Sequence, residues 1–114
     1  GPVTKAPKLR KEEARIDWHL GSNDIRNRIR AYKPFPGTWT GVDGSRLGIE
    51  WAEAAASDDT AEPGTILRTK REGFVVQCGK GALLVTRVKP EGRRAMDAAA
   101  YLRGARVEEG MCLE

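Results

Sequence analysis

After residue 36, turn-forming residues divide the sequence into short segments of alternating apolar side chains. The strongest turn signal is Asp43-Gly44, because both residues tolerate the positive φ angles of a two-residue hairpin turn. Turns spaced about 8–12 residues apart are typical of small all-β domains. The pattern predicts strands over residues 38–42, 46–53, 65–70, 74–78 and 82–89.

Two helices are predicted beside these strands. Ile25, Ile29 and Tyr32 recur at helical spacing, with Ser22 available as the cap and Pro34 as the stop. A second, short helix is predicted over residues 98–103, where Asp97 is suited to the N-cap position.

The expected fold class is mainly β with short helices. Five short strands in a chain of 114 residues leave sheet edges that closure would protect. We therefore expect a small OB-like antiparallel β-barrel flanked by two α-helices.

Composition and the absence of apolar periodicity in some segments also suggest how the chain is organised. Residues 1–2 resemble the remnant of a cleaved tag. Residues 3–15 are basic and have no apolar period, which favours an interdomain linker or arm. Residues 16–106 are expected to form the single domain, and residues 107–114 a frayed tail. No apolar run approaches the ~20 residues of a membrane span and no signal peptide is evident, so we expect a cytoplasmic protein.

Charge is segregated along the chain. The formal net charge of +4 divides into +5 over residues 1–33, −5 over 34–64, +6 over 65–94 and −2 over 95–114. If the two basic blocks meet in space, they form a surface that attracts polyanions. The alternative is that these side chains only keep exposed faces soluble.

The chain has few of the residues on which enzymes depend. With one histidine and two cysteines, it has no His-cluster or structural zinc pattern. His19 lies in no catalytic motif, and Cys78 alternates with apolar residues, which favours a buried and inert thiol. We therefore expect no active site and no metal site in this chain.

Basic side chains recur on two of the predicted strands and at the end of one of them. Such rows can join into a stripe that follows a phosphate backbone, with binding that depends on salt and is largely blind to sequence. The residues concerned are Arg68, Lys70, Arg87, Lys89, Arg93 and Arg94.

The aromatic residues give a mixed signal. Trp18, Trp39 and Trp51 could stack on bases, but Trp51 alternates with Leu47 and Ile49, so we expect it in the core. No single strand alternates aromatic with basic residues, which argues against a binder of single-stranded nucleic acid.

Several ordered segments resemble the C-terminal domain of methionyl-tRNA formyltransferases. They are KLRKEEARIDW (residues 8–18), IRAYKPFPGTW (29–39), PGTI (63–66), GKG (79–81) and KPEGRRAM (89–96). The resemblance extends over about residues 5–105, and its specificity lies in the order of the segments.

The resemblance implies an OB-like domain that helps to hold initiator tRNA. In that family, the catalytic residues and the 10-formyltetrahydrofolate site belong to an N-terminal Rossmann-like domain, which nothing here matches. By position, the resemblance assigns tRNA contacts to Lys8, Arg10 and Lys11 in the linker, to Arg93 and Arg94, and to Arg30 at the helix end. The implied partners are initiator tRNA and that catalytic domain, without a membrane and without a cofactor in this chain.

A second interpretation stays open. Formyltransferases that act on amino sugars, and folate hydrolase or dehydrogenase enzymes, have a similar C-terminal domain. There the domain serves shape or interdomain packing instead of tRNA binding.

Overall fold

The computed structural model describes residues 14–33, 37–58 and 60–114. Most of the proposed linker, including Lys8, Arg10 and Lys11, lies outside these residues. The elements within them are α1 (Ser22–Ala31), β1 (Thr38–Val42), β2 (Ser45–Ala55), β3 (Ile66–Thr69), β4 (Phe74–Gln77), β5 (Ala82–Pro90), β6 (Met96–Asp97) and α2 (Ala98–Gly104).

The hairpin that joins β1 to β2 forms at the predicted turn. Asp43 and Gly44 have φ angles of 52° and 86°, the positive values that a type I′ turn requires. This turn pairs Val42 with Ser45 and, further from the turn, Trp39 with Gly48. The two-residue turn therefore sets which side chains meet across the first two strands.

The strands of the described residues form one antiparallel sheet in the order β1-β2-β5-β4-β3, with β6 paired to β5. The long β5 is central, since it pairs with β2 along its length and with β4 and β6 on its other side. The expectation of a mainly β fold with two short helices is confirmed.

Closure of the sheet differs from the expected barrel, because the described part of the chain has no ladder between β1 and β3. The C-terminal segment, which we define as residues 110–114, lies between these two edge strands and bonds to both. The Ile66 amide donates to the Met111 carbonyl (2.7 Å), and the Gly41 amide to the Glu114 carbonyl (3.1 Å). Leu113 is 5% exposed and belongs to the core. The expectation of a frayed tail is wrong, because these residues satisfy the edges of the sheet.

A β-bulge at Glu50 places Trp51 differently from the prediction. The register between β2 and β5 shifts between Ile49 and Trp51, so that Ala52 takes the inward position. The Trp51 ring is half-buried under α1, with the cationic groups of Arg26 and Lys33 5.8 and 5.4 Å from its centroid. The extra residue of a bulge turns the side chains that follow it to the other face, which simple alternation does not anticipate.

The core lies between the sheet, α1 and α2. It includes Phe74, Val85 and Leu83 from the sheet, and Ile25 and Ile29 from α1. The spacing of the two isoleucines, four residues apart, is what directs one face of α1 into this core.

The caps of both helices differ from the expected arrangement. Gly21, and not Ser22, occupies the N-cap of α1, and no side-chain cap hydrogen bond forms there. Asp97 does occupy the N-cap of α2, but it makes no capping bond. Its carboxylate instead accepts a hydrogen bond from Arg87 at 3.0 Å.

Trp18 anchors the segment that precedes α1. The indole is 3% exposed, and its Nε1–H donates to the Thr40 hydroxyl at 2.9 Å. Burial of this ring, together with a satisfied polar group, joins the N-terminal part of the domain to β1.

Within the residues that the structure describes, no helix is long and apolar enough to span a membrane.

Candidate nucleic-acid interface

Three of the predicted cationic residues lie together at the end of β5. Lys89 is on the strand, and Arg93 and Arg94 follow it in the turn to β6; all three side chains are exposed. They line an open groove with Glu50 and the segment 92–96, which we call the loop groove. The hydrogen bond from the Arg93 amide to the Pro90 carbonyl (2.9 Å) fixes the turn that presents the arginines.

A second groove adjoins the first and shares Lys89 and Gly92 with it. We call it the Trp39 groove; its lining residues are Gly37, Trp39, Arg46, Gly48, Lys89, Pro90, Glu91 and Gly92. Leu47 and Ile49 point into the core, so the intervening Gly48 lies on the outer face of β2.

The Trp39 ring lies against two arginines. The guanidinium carbon of Arg46 is 4.3 Å from the ring centroid, and that of Arg15 is 5.5 Å from it. Both distances are within the range of cation–π attraction. The arrangement holds positive charge beside an aromatic surface.

Cations outnumber carboxylates along the two grooves. Arg46, Lys89, Arg93 and Arg94 oppose Glu50 and Glu91, which leaves a net charge of +2. Glu91 also connects the turn after β5 to β2, because its carboxylate accepts a hydrogen bond from the Arg46 amide at 3.2 Å. We call the surface formed by the two grooves the basic face.

Two of the predicted residues are engaged within the domain. The guanidinium of Arg68 donates to the Ala56 carbonyl at 2.9 Å. Arg87 is held by the Asp97 carboxylate. Both arginines are therefore in contact with other parts of the domain, although the Arg87 and Asp97 side chains remain 48% and 75% exposed.

The two predicted strand rows do not form a continuous stripe. β4 lies between β3 and β5, which separates Arg68 and Lys70 from Lys89 by about two strand spacings, or ~10 Å. β4 is buried along its whole length. Arg30 is exposed on α1 and lines neither groove.

Trp39 and Arg46 were not predicted to act together. They lie on different strands, so a search for alternation along one strand does not pair them. The Asp43-Gly44 turn could have predicted this contact. A two-residue turn at that position pairs Trp39 with Gly48, which places Trp39 diagonally across from Arg46 on the same face of the hairpin. The argument against a binder of single-stranded nucleic acid considered each strand singly, so it did not take in a pair that forms across a hairpin, such as Trp39 and Arg46.

Two reactive side chains singled out in the sequence, Cys78 and His19, line neither groove. Burial raises the pKa of the Cys78 thiol to about 12, as expected for an inert cysteine. His19 is exposed, and its Nδ1 is 3.3 Å from the Asp17 carboxylate. Over residues 14–33, 37–58 and 60–114, no group of three or more His, Cys, Asp or Glu side chains is placed to hold a metal ion.

The fold is that of a small antiparallel β domain with two short helices, and its two adjoining grooves carry a net positive charge. The model of the formyl transferase C-terminal domain matches residues 8–106. The chain belongs to this family.

Curated relatives agree with this assignment. The chain is 39% identical to the methionyl-tRNA formyltransferase of Geobacter sulfurreducens over 92% of its own length and 32% of that protein. It is 43% identical to the enzyme of the same name from Neisseria gonorrhoeae, over 95% of this chain and 34% of that protein. The chain thus spans about a third of the length of these relatives.

Similarity to solved structures extends to a more distant protein. The crystal structure of HypX from Aquifex aeolicus with tetrahydrofolic acid has a TM-score of 0.70 to this chain and 21% sequence identity. The match covers 87% of this chain and 18% of HypX. At this identity, the similarity concerns the fold alone.

Proposed function

We propose that this chain is the tRNA-binding C-terminal domain of a methionyl-tRNA formyltransferase. The parent enzyme would transfer a formyl group from 10-formyltetrahydrofolate to the amino group of methionine on initiator tRNA, in the cytoplasm. Catalytic residues and folate would belong to an N-terminal Rossmann-like domain, the second proposed partner of this chain. The proposal draws on the identity of about 40% to enzymes of that name.

One structural observation carries the proposal: Lys89, Arg93 and Arg94 line a single groove and are joined by Arg46 in the next. Clustered cations bind a phosphate backbone by releasing its condensed counterions. Contacts of this kind position a nucleic acid without reading its sequence. Lys8, Arg10 and Lys11 would add to this binding from the linker, and Arg30 and Lys70 from neighbouring surfaces.

The proposal predicts that tRNA affinity falls steeply with salt and depends on the two loop arginines. Each phosphate contact contributes about 0.7–0.9 to the slope of log K against log salt concentration. The double variant Arg93→Ala/Arg94→Ala should therefore weaken binding and reduce this slope by about 1.4–1.8. The measurement is a filter-binding titration of tRNA at several salt concentrations.

The matched control is Arg103→Ala/Arg106→Ala, which removes the same charge from two exposed arginines that line neither groove. It should leave the slope within about half a unit of the starting value. A slope that changes equally in both double variants would show that net charge, and not the loop groove, determines binding.

Absence of tRNA binding at ~50 mM salt, where electrostatic binding is strong, would instead favour the second interpretation, a packing domain of another formyltransferase.

We also expect no formyl transfer from the chain alone; detectable transfer to Met-tRNA without an added catalytic domain would contradict this expectation.

A further inference from the structure

We propose that the Trp39 groove binds one unpaired nucleotide of an RNA, with the base stacked on the Arg46–Trp39 pair and the phosphate held by Lys89. This inference rests on the proposed function and makes it more specific. Phosphate binding alone requires no aromatic side chain, whereas this groove has one in contact with a planar cation.

The register of three strands builds the groove. Trp39 on β1 pairs with Gly48 on β2, and Gly48 pairs with Lys89 on β5. These three positions form one row across the outer face, with an aromatic ring at one end and an ammonium group at the other. Because Gly48 has no side chain, the middle of the row is a gap.

Position 48 requires glycine, because β5 approaches it closely. A Cβ atom at position 48 would lie 3.0 Å from the Lys89 carbonyl oxygen and 3.2 Å from the Lys89 Cβ. Gly37 and Gly92 line the same groove and have φ angles of +79° and +77°, which favour glycine there as well. The resulting space is about 270 Å³. This is below the roughly 300–1,000 Å³ typical of sites for drug-sized ligands, and it suits a group the size of one base.

The stacking pair is held in place before any ligand arrives. Hydrogen bonds from the Trp39 amide to the Ala14 carbonyl (3.1 Å) and from the Ile16 amide to the Trp39 carbonyl (2.8 Å) fix the tryptophan backbone. Glu91 fixes Arg46, because its carboxylate accepts from the Arg46 amide and its own amide donates to the Arg46 carbonyl. These bonds fix the Arg46 backbone, and the guanidinium lies over the Trp39 ring, 4.3 Å from its centroid. A guanidinium that already rests on the ring loses less conformational entropy when a base stacks on its outer side.

This chemistry distinguishes unpaired from paired RNA. Bases of an A-form helix are stacked on one another, whereas bases in loops and at ends can stack on aromatic rings or on arginine planes. The Trp39 groove should therefore add affinity for RNA with unpaired nucleotides, beyond the phosphate attraction that both kinds of RNA share.

The test compares two RNAs with the same number of phosphates: a hairpin with a seven-nucleotide loop and a blunt duplex. The 114-residue chain should bind the hairpin about tenfold more tightly at equal salt, the scale expected when a base stacks. A 2-aminopurine in the loop reports stacking directly, because its fluorescence falls when it stacks.

The diagnostic variant is Arg46→Lys, which retains the charge but lacks the planar guanidinium. Arg46 is exposed, so the variant should fold. It should reduce the hairpin preference to less than about twofold, abolish the 2-aminopurine quenching and weaken duplex binding less than hairpin binding. Arg106→Lys, an exposed exchange outside both grooves, should change none of the three readouts.

Equal binding of the two RNAs by the original chain, or a preference that survives in Arg46→Lys, would overturn this inference and leave the proposed phosphate binding intact. Failure of both RNAs to bind would overturn the inference and the proposed function together.

Discussion

At the scale of single residues, the hydrogen bond between Trp18 and Thr40 shows how one polar pair determines a buried position. The Thr40 side chain is fully buried; its hydroxyl accepts from the indole and donates to the Glu114 carbonyl at 3.2 Å. One hydroxyl thus joins the segment before α1, the strand β1 and the C-terminal segment.

Thr40→Val should destabilise the domain by about 1–3 kcal/mol, because it keeps the shape of the side chain and leaves the indole N–H buried without a partner. Urea denaturation measures the change in the free energy of unfolding. In a Trp18→Phe background, which has no N–H group, the same substitution should cost clearly less. An equal cost in both backgrounds would show that the Trp18 bond contributes nothing to stability.

Residue types predicted some positions well and others poorly. Cys78 was expected to be buried from its alternation with apolar neighbours, and it is 1% exposed. Ser22 was expected to cap α1 from its type alone, but Gly21 occupies the cap. The Ser22 amide already donates a hydrogen bond to the Lys80 carbonyl at 2.8 Å. Because Lys80 is 58 residues further along the chain, the local sequence does not reveal this contact.

At the scale of elements, the turn between β4 and β5 holds the segment before α1 at close range. The Gly79 amide donates to the Leu20 carbonyl at 2.9 Å. A Cβ atom at Gly79 would lie 1.8 Å from the His19 carbonyl oxygen, which is a backbone atom and cannot rotate aside.

Gly79→Ala should therefore lower the free energy of unfolding by about 2–3 kcal/mol, because the segment before α1 must move away from the turn. Gly104→Ala is the matched control, since a Cβ atom there meets nothing within 4 Å. Its higher helix propensity should leave stability unchanged or raise it by up to about 1 kcal/mol. Similar urea midpoints for the two variants would contradict the close contact at Gly79.

The boundaries of the elements were largely predictable from the sequence. β1 was predicted without error, and four other strands begin and end within about two residues of prediction, because glycine and proline mark their ends. The bulge at Glu50 was not predictable, since it depends on how β2 meets β5 and no local residue type requires it. The two-residue strand β6 is too short for any periodicity to appear.

At the scale of the whole molecule, the C-terminal segment connects the two edges of the sheet. Gly41 on β1 and Ile66 on β3 both donate to this segment, at Glu114 and Met111. Loss of the segment would leave the Gly41 and Ile66 amides without these partners at once, although they belong to strands on opposite sides of the sheet.

Leu113→Ala should cost about 2–4 kcal/mol, because it removes a buried side chain that fixes the segment to the core. Cys112→Ala, at the exposed neighbouring position, should change stability by less than about 0.5 kcal/mol. Amide hydrogen exchange measured by NMR provides a second readout of the Leu113 variant. The Gly41 and Ile66 amides should lose protection together; faster exchange at only one of them would show that the segment does not couple the edges.

Topology and the basic face were predicted only in part. Antiparallel pairing between neighbours such as β1 and β2 follows from short turns. The pairing of β2 with β5 does not, because β3 and β4 lie between these two strands in the sequence. The cluster of Lys89, Arg93 and Arg94 was predictable because these residues are close in sequence. Arg87 and Arg68 were assigned to the same surface, but their partners Asp97 and Ala56 belong to segments whose positions depend on the complete fold.

The pairing at β1 also brings the two ends of the described fold together. Ala14 and Ile16 bond to Trp39, Glu114 bonds to Gly41 two residues further along, and Arg15 Nε donates to the Glu114 carbonyl at 3.4 Å. Neighbouring ends of this kind make a domain suited to circular permutation. A short linker from Glu114 to Ala14, with new ends among the exposed residues 56–58 after β2, would preserve the strand pairings of the described residues. The permuted chain would move the point where the proposed N-terminal domain attaches, and so separate the effect of that attachment from the stability of the fold.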